Sequence, residues 1–204
     1  MASATTSRRQ QPTSGTSSRP TAAALPKPPC TIHPSATVSD KAIITGSHPV
    51  TIDEGCVIHP FAKITSTIAP VRIGKHCIIA ERTSTGLSTE SAASENSVVV
   101  IEDNVSIESG AVVEAARVGA GSVVEVNARL GPRAVVGKHC KISALCNIYD
   151  EVPDYTVVFG ENTRRIDTTS KSRADIRDLK IKSHHLHIET LKRLIPSNAA
   201  KWAS

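Results

Sequence analysis

The 204-residue chain carries 24 Lys and Arg against 19 Asp and Glu, a net charge of +5, and is 39% hydrophobic but only 2% aromatic. Two Tyr, two Phe and one Trp are too few for a single-strand nucleic-acid platform, and the basic residues form no phosphate-binding cluster, so nucleic acid is excluded as a partner. No apolar run approaches the roughly 18 residues of a membrane span, which excludes membrane insertion, and a core this poor in rings must be built from Val, Ile, Leu, Ala and Cys.

Residues 1–29, "MASATTSRRQQPTSGTSSRPTAAALPKPP", hold Arg8, Arg9, Arg19 and Lys27, no acid and hardly an aliphatic side chain. Such a segment cannot bury a core and is expected to be a disordered, basic, Ser/Thr/Pro-rich tail. An acid-free, Arg- and Ser-rich start is also the pattern of a transit peptide, but prolines from Pro12 to Pro29 oppose the amphipathic helix that such a peptide needs. The tail accounts for most of the net charge and leaves the remainder nearly neutral.

From Cys30 to Ile166 the apolar pattern has a period of six, which fits neither the 3.6 of a helix nor the 2 of a half-buried strand. Its aliphatic positions are Ile32, Val38 and Ile44, then Ile52, Ile58 and Ile64, then Ile73 and Ile79, then Ile101, Ile107 and Val113. An uninterrupted run follows: Val118, Val124, Leu130, Val136, Ile142 and Ile148. Four places after the aliphatic comes a small residue, as in Ser122, Ala128, Ala134, Cys140 and Cys146. This is the grammar of a β-solenoid, a three-sided prism in which each side is a short strand and each corner a tight turn. Gly119, Gly121, Gly131 and Gly137 fall where a corner needs unusual dihedrals or where coils come close.

Breaks of phase, at Ile44 to Ile52, Ile64 to Ile73 and Val113 to Val118, come mostly after every third hexad, as expected if one corner tolerates length changes. The largest excursion predicts a corner loop over about residues 86–98. The domain should therefore span residues 30–166 as about six coils and a closing partial one. At roughly 4.8 Å per coil it is a column some 30 Å tall, with two open ends that need caps or partners.

Cys56, Cys77, Cys140 and Cys146 occupy the small inward place and read as core filler. Two chemistries known on such prisms need particular histidines. A zinc-bearing carbonic-anhydrase site takes three, two of them five residues apart, and His33, His48, His59, His76 and His139 offer no such pair. An acyltransferase working as a homotrimer needs only one His as general base, which spacing does not exclude. His33 and His59 both precede proline in turns, and His76 and His139 sit in matching "GKHC" turns, expected to be exposed corners. No catalytic, cofactor-binding or metal-ligating residues are therefore assigned.

Beyond the closing coil "NIYDEVPDYTVVFGENTRRI", residues 167–204 should form a linker and a C-terminal helix over about residues 183–195, capped by Ser183 and stopped by Pro196. Its docking stripe is read as Ile188, Leu191, Leu194 and Ile195, with His184 and His187 extending the same face. The mixed-charge run "KSRADIRDLKIK" before it reads as a solvated stretch.

The coils "TIHPSATV" and "CVIHPFAKI", the corner loop before "IEDN", the run "GPRAVVGKHCKISALCNIYDEVPDYTVVFGENTRRI" and a terminal helix ending "LKRLIP" together resemble the dynactin subunit 6 family of hexapeptide-repeat proteins. The resemblance covers about residues 30–196 and excludes the tail, and "STESAASENS" departs from the family pattern. It implies an all-β, left-handed parallel β-helix of hexapeptide repeats, of the trimeric-LpxA-like kind, with a C-terminal α-helix. It further implies a non-catalytic, cofactor-free subunit of the dynactin pointed-end complex in the cytoplasm and cytoskeleton. The implied partners are a sister hexapeptide subunit (dynactin subunit 5), dynactin subunit 4 and the pointed-end actin-related protein, and indirectly dynein and endosomal cargo.

Overall fold

The computed structural model describes residues 27–88 and 97–202. The N-terminal tail to residue 26 and most of the corner loop, residues 89–96, lie outside the described residues.

Each coil contributes three short strands. The first coil holds β1 (Cys30–Ile32), β2 (Thr37–Val38) and β3 (Ile43–Gly46), and the second β4 (Val50–Ile52), β5 (Val57–Ile58) and β6 (Lys63–Ser66). The third holds β7 (Val71–Ile73), β8 (Ile78–Ile79) and β9 (Ser84–Thr85), and the fourth β10 (Val99–Ile101), β11 (Ser106–Ile107) and β12 (Val112–Val113). The fifth holds β13 (Arg117–Val118), β14 (Val123–Val124) and β15 (Arg129–Leu130), and the sixth β16 (Val135–Val136), β17 (Lys141–Ile142) and β18 (Asn147–Ile148). A closing part-coil adds β19 (Glu151–Val152), β20 (Thr156–Phe159) and β21 (Thr163–Ile166). Every third strand pairs in parallel, giving a first face from β1 to β19, a second from β2 to β20 and a third from β3 to β18. The protein is a left-handed parallel β-helix.

Register explains the core. Ile52, Ile73, Ile101, Val118 and Val136 are paired one above another on the first face, as are Ile58, Ile79, Ile107, Val124 and Ile142 on the second. Each hexad aliphatic from Val38 to Ile148 is fully buried, and Val152 and Val158 extend the column, so one continuous aliphatic stack runs through the prism. Ile32, in the first coil, is only partly buried.

Corner geometry is equally regular. Three places after each first-face aliphatic from Ile52 to Val152, Gly55, His76, Asn104, Gly121, His139 and Tyr155 all adopt left-handed backbone, with φ between 53° and 71°. The cost of that conformation, about 1–2 kcal/mol for a non-glycine residue, is offset by a ladder. The amides of His76, Asn104, Gly121, His139 and Tyr155 donate to Glu54, Lys75, Asp103, Ala120 and Lys138 of the preceding coil at 2.7 to 2.9 Å. Glycine is required where the next coil folds a ring over the turn. A Cβ on Gly55 would lie 2.6 Å from His76 Cδ2, and one on Gly121 2.6 Å from His139 Nδ1. Gly119, Gly131 and Gly137 have no positive φ and serve instead at close approaches between coils. His76 and His139 are thus half-buried covers of the corner rather than exposed turn residues.

The inward small residues also stitch coils together. The thiols of Cys56, Cys77 and Cys140 donate to the carbonyls of Gly74, Glu102 and Pro153 at 2.8, 3.0 and 3.0 Å, and Ser122 Oγ donates to Gly137 O at 2.8 Å. Burial pushes the Cys77 and Cys140 thiols above their usual range, so neither is poised to act as a thiolate nucleophile.

Both ends of the second face are covered by the chain itself. At the C-terminal end β21 turns back antiparallel on β20. At the other end Ser197 bridges to Ser39, the Asn198 amide donates to Val38 O at 2.8 Å, and Ala199 and Trp202 pack on the core. The expectation of two open ends is corrected to this extent: among the described residues, sheet edges remain at β1 and β19 on the first face and at β3 and β18 on the third.

Candidate functional site

The part of the molecule that departs from the repeat is the C-terminal helical segment and the prism face beneath it. It begins at Asp167, whose carboxylate caps the short helix α1 (Thr168–Ser172) by accepting from the Ser170 amide at 2.9 Å and the Ser170 hydroxyl at 2.5 Å. Those two bonds, with Lys180 at 3.4 Å, hold the Asp167 carboxyl down at about 2.

Helix α2 spans Ala174–Leu194, 21 residues. The expected start at Ser183 is therefore corrected: the mixed-charge stretch is already helical, and the helix opens after Arg173, which ion-pairs with Asp175 at 2.6 Å. Alternating charges suit an exposed helical face as well as a loop, which is why composition did not separate the two. Pro196 follows the C-cap Ile195, as a stop should.

α2 lies along the outward surface of the second face, running from the last coils back toward the first. Near its start the Arg177 guanidinium lies over the Tyr155 ring, 5.8 Å from its centre. Farther on, Ile188, 1% exposed, packs against Val57 of β5 and Ile78 of β8, and Leu191 and Ile195 flank this small second core. Leu194 does not belong to the docking stripe, being 71% exposed. At about 100° per residue, Ile188, Leu191 and Ile195 fall within roughly 60° of one another, whereas Leu194 lies some 120° from Ile188. The true stripe continues through His184, Ile181 and Arg177.

Imidazoles fill the space around this core. His184 Nε2–H donates to His76 O at 2.6 Å and its Nδ1 lies 3.3 Å from Ser106 Oγ. His185 Nε2 lies 2.8 Å from Asn104 Oδ1, and its ring sits 4.4 Å from that of His76. His59, at the turn after β5, has a buried Nε2 with no hydrogen-bond partner among the described residues. His187, read as part of the docking face, is exposed. Burial lowers the pKa of His59, His76 and His184, and mutual repulsion with neighbouring imidazoles adds to it.

Between the first half of α2 and the face beneath it lies a groove of about 580 Å³, reached by His139, Lys141, Val157, Arg177 and Lys180. Its cations are engaged: Lys141 with Glu125 at 2.8 Å, Lys180 with Ser170 Oγ at 2.6 Å and Asp167, and Arg177 with Ser170 O at 2.6 Å. His139 is stacked on Tyr155 at 5.4 Å. The histidines His33 and His48 lie apart from this region, hydrogen-bonded to Ser35 Oγ at 2.9 Å and Ser66 O at 3.0 Å. Among the described residues no group of three or more His, Cys, Asp or Glu could hold a metal, and no helix is long and apolar enough to cross a membrane. The histidines instead build the seam between helix and prism. Nothing in the spacing announced this, since the bonded partners lie 78 to 108 residues apart.

In class, the fold is that of the hexapeptide-repeat proteins. It superposes on a hexapeptide transferase family protein from Anaplasma phagocytophilum with a TM-score of 0.57, covering 82% of this chain and 96% of that one at 15% identity, a likeness of fold alone. No family model matches the chain. In sequence it is similar to dynactin subunit 6. It is 29% identical over 135 residues to that of Nematostella vectensis, covering 63% of this chain and 72% of the relative. The same identity holds over 146 residues of the Xenopus tropicalis protein (67% and 71%) and 128 residues of the Danio rerio protein (58% and 66%).

Proposed function

We propose that the chain is a non-catalytic subunit of dynactin. In this reading it belongs to the pointed-end subcomplex and supports dynein-driven, microtubule-based transport and cargo attachment. The observation that carries it is the similarity to dynactin subunit 6 of three animals, along more than half of the chain. The site geometry agrees with the non-catalytic part. His184 and His185 are hydrogen-bonded in docking the helix, and the rings of His76 and His139 are packed against His185 and Tyr155.

A prism of this kind binds through edges and flat faces. With the second face occupied by α2 and closed at both ends, partner addition falls to the edges at β1, β3, β18 and β19 and to the outer surfaces of the first and third faces. The partners are dynactin subunit 5 as the sister prism, dynactin subunit 4 and the pointed-end actin-related protein, in the cytoplasm and on the cytoskeleton, with dynein and endosomal cargo reached indirectly. Sedimentation of the recombinant chain, alone and co-expressed with subunit 5, tests the reading. A one-to-one pair is expected, whereas a homotrimer that turns over an acyl-coenzyme A would establish the acyltransferase alternative.

A further inference from the structure

We propose that the histidine seam is an acid-sensitive latch: α2 is docked on the prism while these imidazoles are neutral, and is released from it as they take up protons. The argument starts from the hydrogen bonds. His76 O can only accept, so His184 Nε2 must carry a hydrogen at 2.6 Å, and in the neutral ring Nδ1 is then a bare acceptor facing the Ser106 hydroxyl at 3.3 Å. Neutral His184 satisfies both contacts. Its cation would keep the bond to His76 O, which favours it, but would be a half-buried charge between helix and sheet with no carboxylate bonded to it, and burial is the larger influence.

The neighbouring rings compound the penalty. The His185 ring of α2 lies 4.4 Å from that of His76, tilted by 33°, and opposes a cation at His76. His59 has a buried Nε2 without a hydrogen-bond partner among the described residues, and protonation would place an unmatched N–H there. From α2, His187 adds repulsion toward His59 and His184, and Lys192 toward His76. From the prism, Glu81 faces His59, and Glu54 and Asp103 face His76. These carboxylates favour the cations, but burial is the larger influence at both sites. Glu54 is further compensated by Lys75 at 3.5 Å, and Glu189 of α2 by Lys192 at 3.0 Å.

The direction of the linkage follows. The docked state holds fewer protons than the undocked one, so docking is at full strength above the ordinary histidine value of 6.5 and weakens as pH falls below it. For each histidine that stays neutral in the dock, one unit below that value shifts the equilibrium by up to about tenfold toward release. Several acting together give a steep transition. What is uncovered is apolar on both sides: Val57 and Ile78 on the prism, Ile188 and Leu191 on the helix. Among the described residues the inward places of the column hold no histidine, so the column should not respond in this range.

Hydrogen exchange of the full chain, read by mass spectrometry at pH 7.5 and 5.5 and corrected for intrinsic amide rates, tests the latch. The expected result is a loss of protection of more than tenfold in residues 174–194 at pH 5.5, with the strands of the column unchanged. A variant carrying His59→Asn, His76→Asn, His139→Asn, His184→Gln and His185→Gln removes every imidazole that faces α2 from the prism and both seam imidazoles of α2 while keeping hydrogen-bonding side chains, and Asn tolerates the left-handed backbone at positions 76 and 139. It should hold α2 protected equally at both pH values. Should this variant fail to fold, His184→Gln alone must still shrink the pH response of the helix. Equal protection at both pH values in the unmodified chain, an undiminished loss in the variants, or simultaneous loss from helix and column would each overturn the proposal.

Discussion

Replacing Ile188 by Ala removes the centre of the contact that holds α2 to the prism. The side chain is 1% exposed between Val57 and Ile78. The change deletes three carbon groups at about 0.8 kcal/mol each, roughly 2.4 kcal/mol before any cavity cost. At 1.4 kcal/mol per tenfold, the undocked population rises about fifty-fold. The column has its own continuous core, so the loss should be local: the helix opens while the prism persists. Limited trypsin digestion at pH 7.5 reads that opening at Lys180 and Lys182, because cleavage tracks the open population when reclosing is fast. Cleavage should accelerate on the order of fifty-fold in Ile188→Ala and no more than about twofold in Leu194→Ala, whose side chain is 71% exposed. Equal rates in the two variants would refute the assignment of the docking face.

On β6, Ile64→Asp buries an unpaired carboxylate at a fully buried place and should cost several kcal/mol, visible as insoluble or unfolded protein, while Lys63→Asp on the outward side leaves circular dichroism and melting nearly unchanged. Gly160→Ala meets no atom within 4 Å and should cost only the left-handed backbone term of about 1–2 kcal/mol, whereas Gly121→Ala must also displace His139 and should lower the melting point further. The Asp167 carboxyl is held at about 2, below its ordinary 3.8, so its contribution to the α1 start is complete above roughly pH 4 and lost as pH falls toward 2. Asp167→Asn should flatten the helical circular-dichroism signal over that range.

How far the sequence discloses this molecule depends on the distance over which each feature is encoded. The six-residue period is local and repeats in every coil, so the inward aliphatics from Val38 to Ile148 and the small residues beside them could be read directly. The break-tolerant corner was legible too: Gly46 ends β3, and Gly86 and the bend at Glu114 to Ala116 follow β9 and β12, all at the corner after a third-face strand, where coil length varies. The left-handed turn residue escaped notice because Gly, His, Asn and Tyr all serve there; place in the hexad, three after the aliphatic, was the signal rather than residue type. The helix start was hidden because a charged surface helix and a solvated loop share a composition. Leu194 was misassigned by following three-residue spacing from Leu191 one step too far round the helix. The histidine seam and the cap made by Ser197 and Trp202 join residues far apart in the chain, the Val38 to Ser197 bond spanning 159 positions, and no local pattern encodes them.

The central claim is membership of dynactin, and affinity purification of the tagged full chain from the cytoplasm of its own cells, with every co-purifying subunit identified and quantified, tests it most directly. The account predicts dynactin subunits in stoichiometric amounts, with one second hexapeptide subunit per copy of this chain. Recovery of the chain as a homotrimer free of dynactin subunits would contradict it.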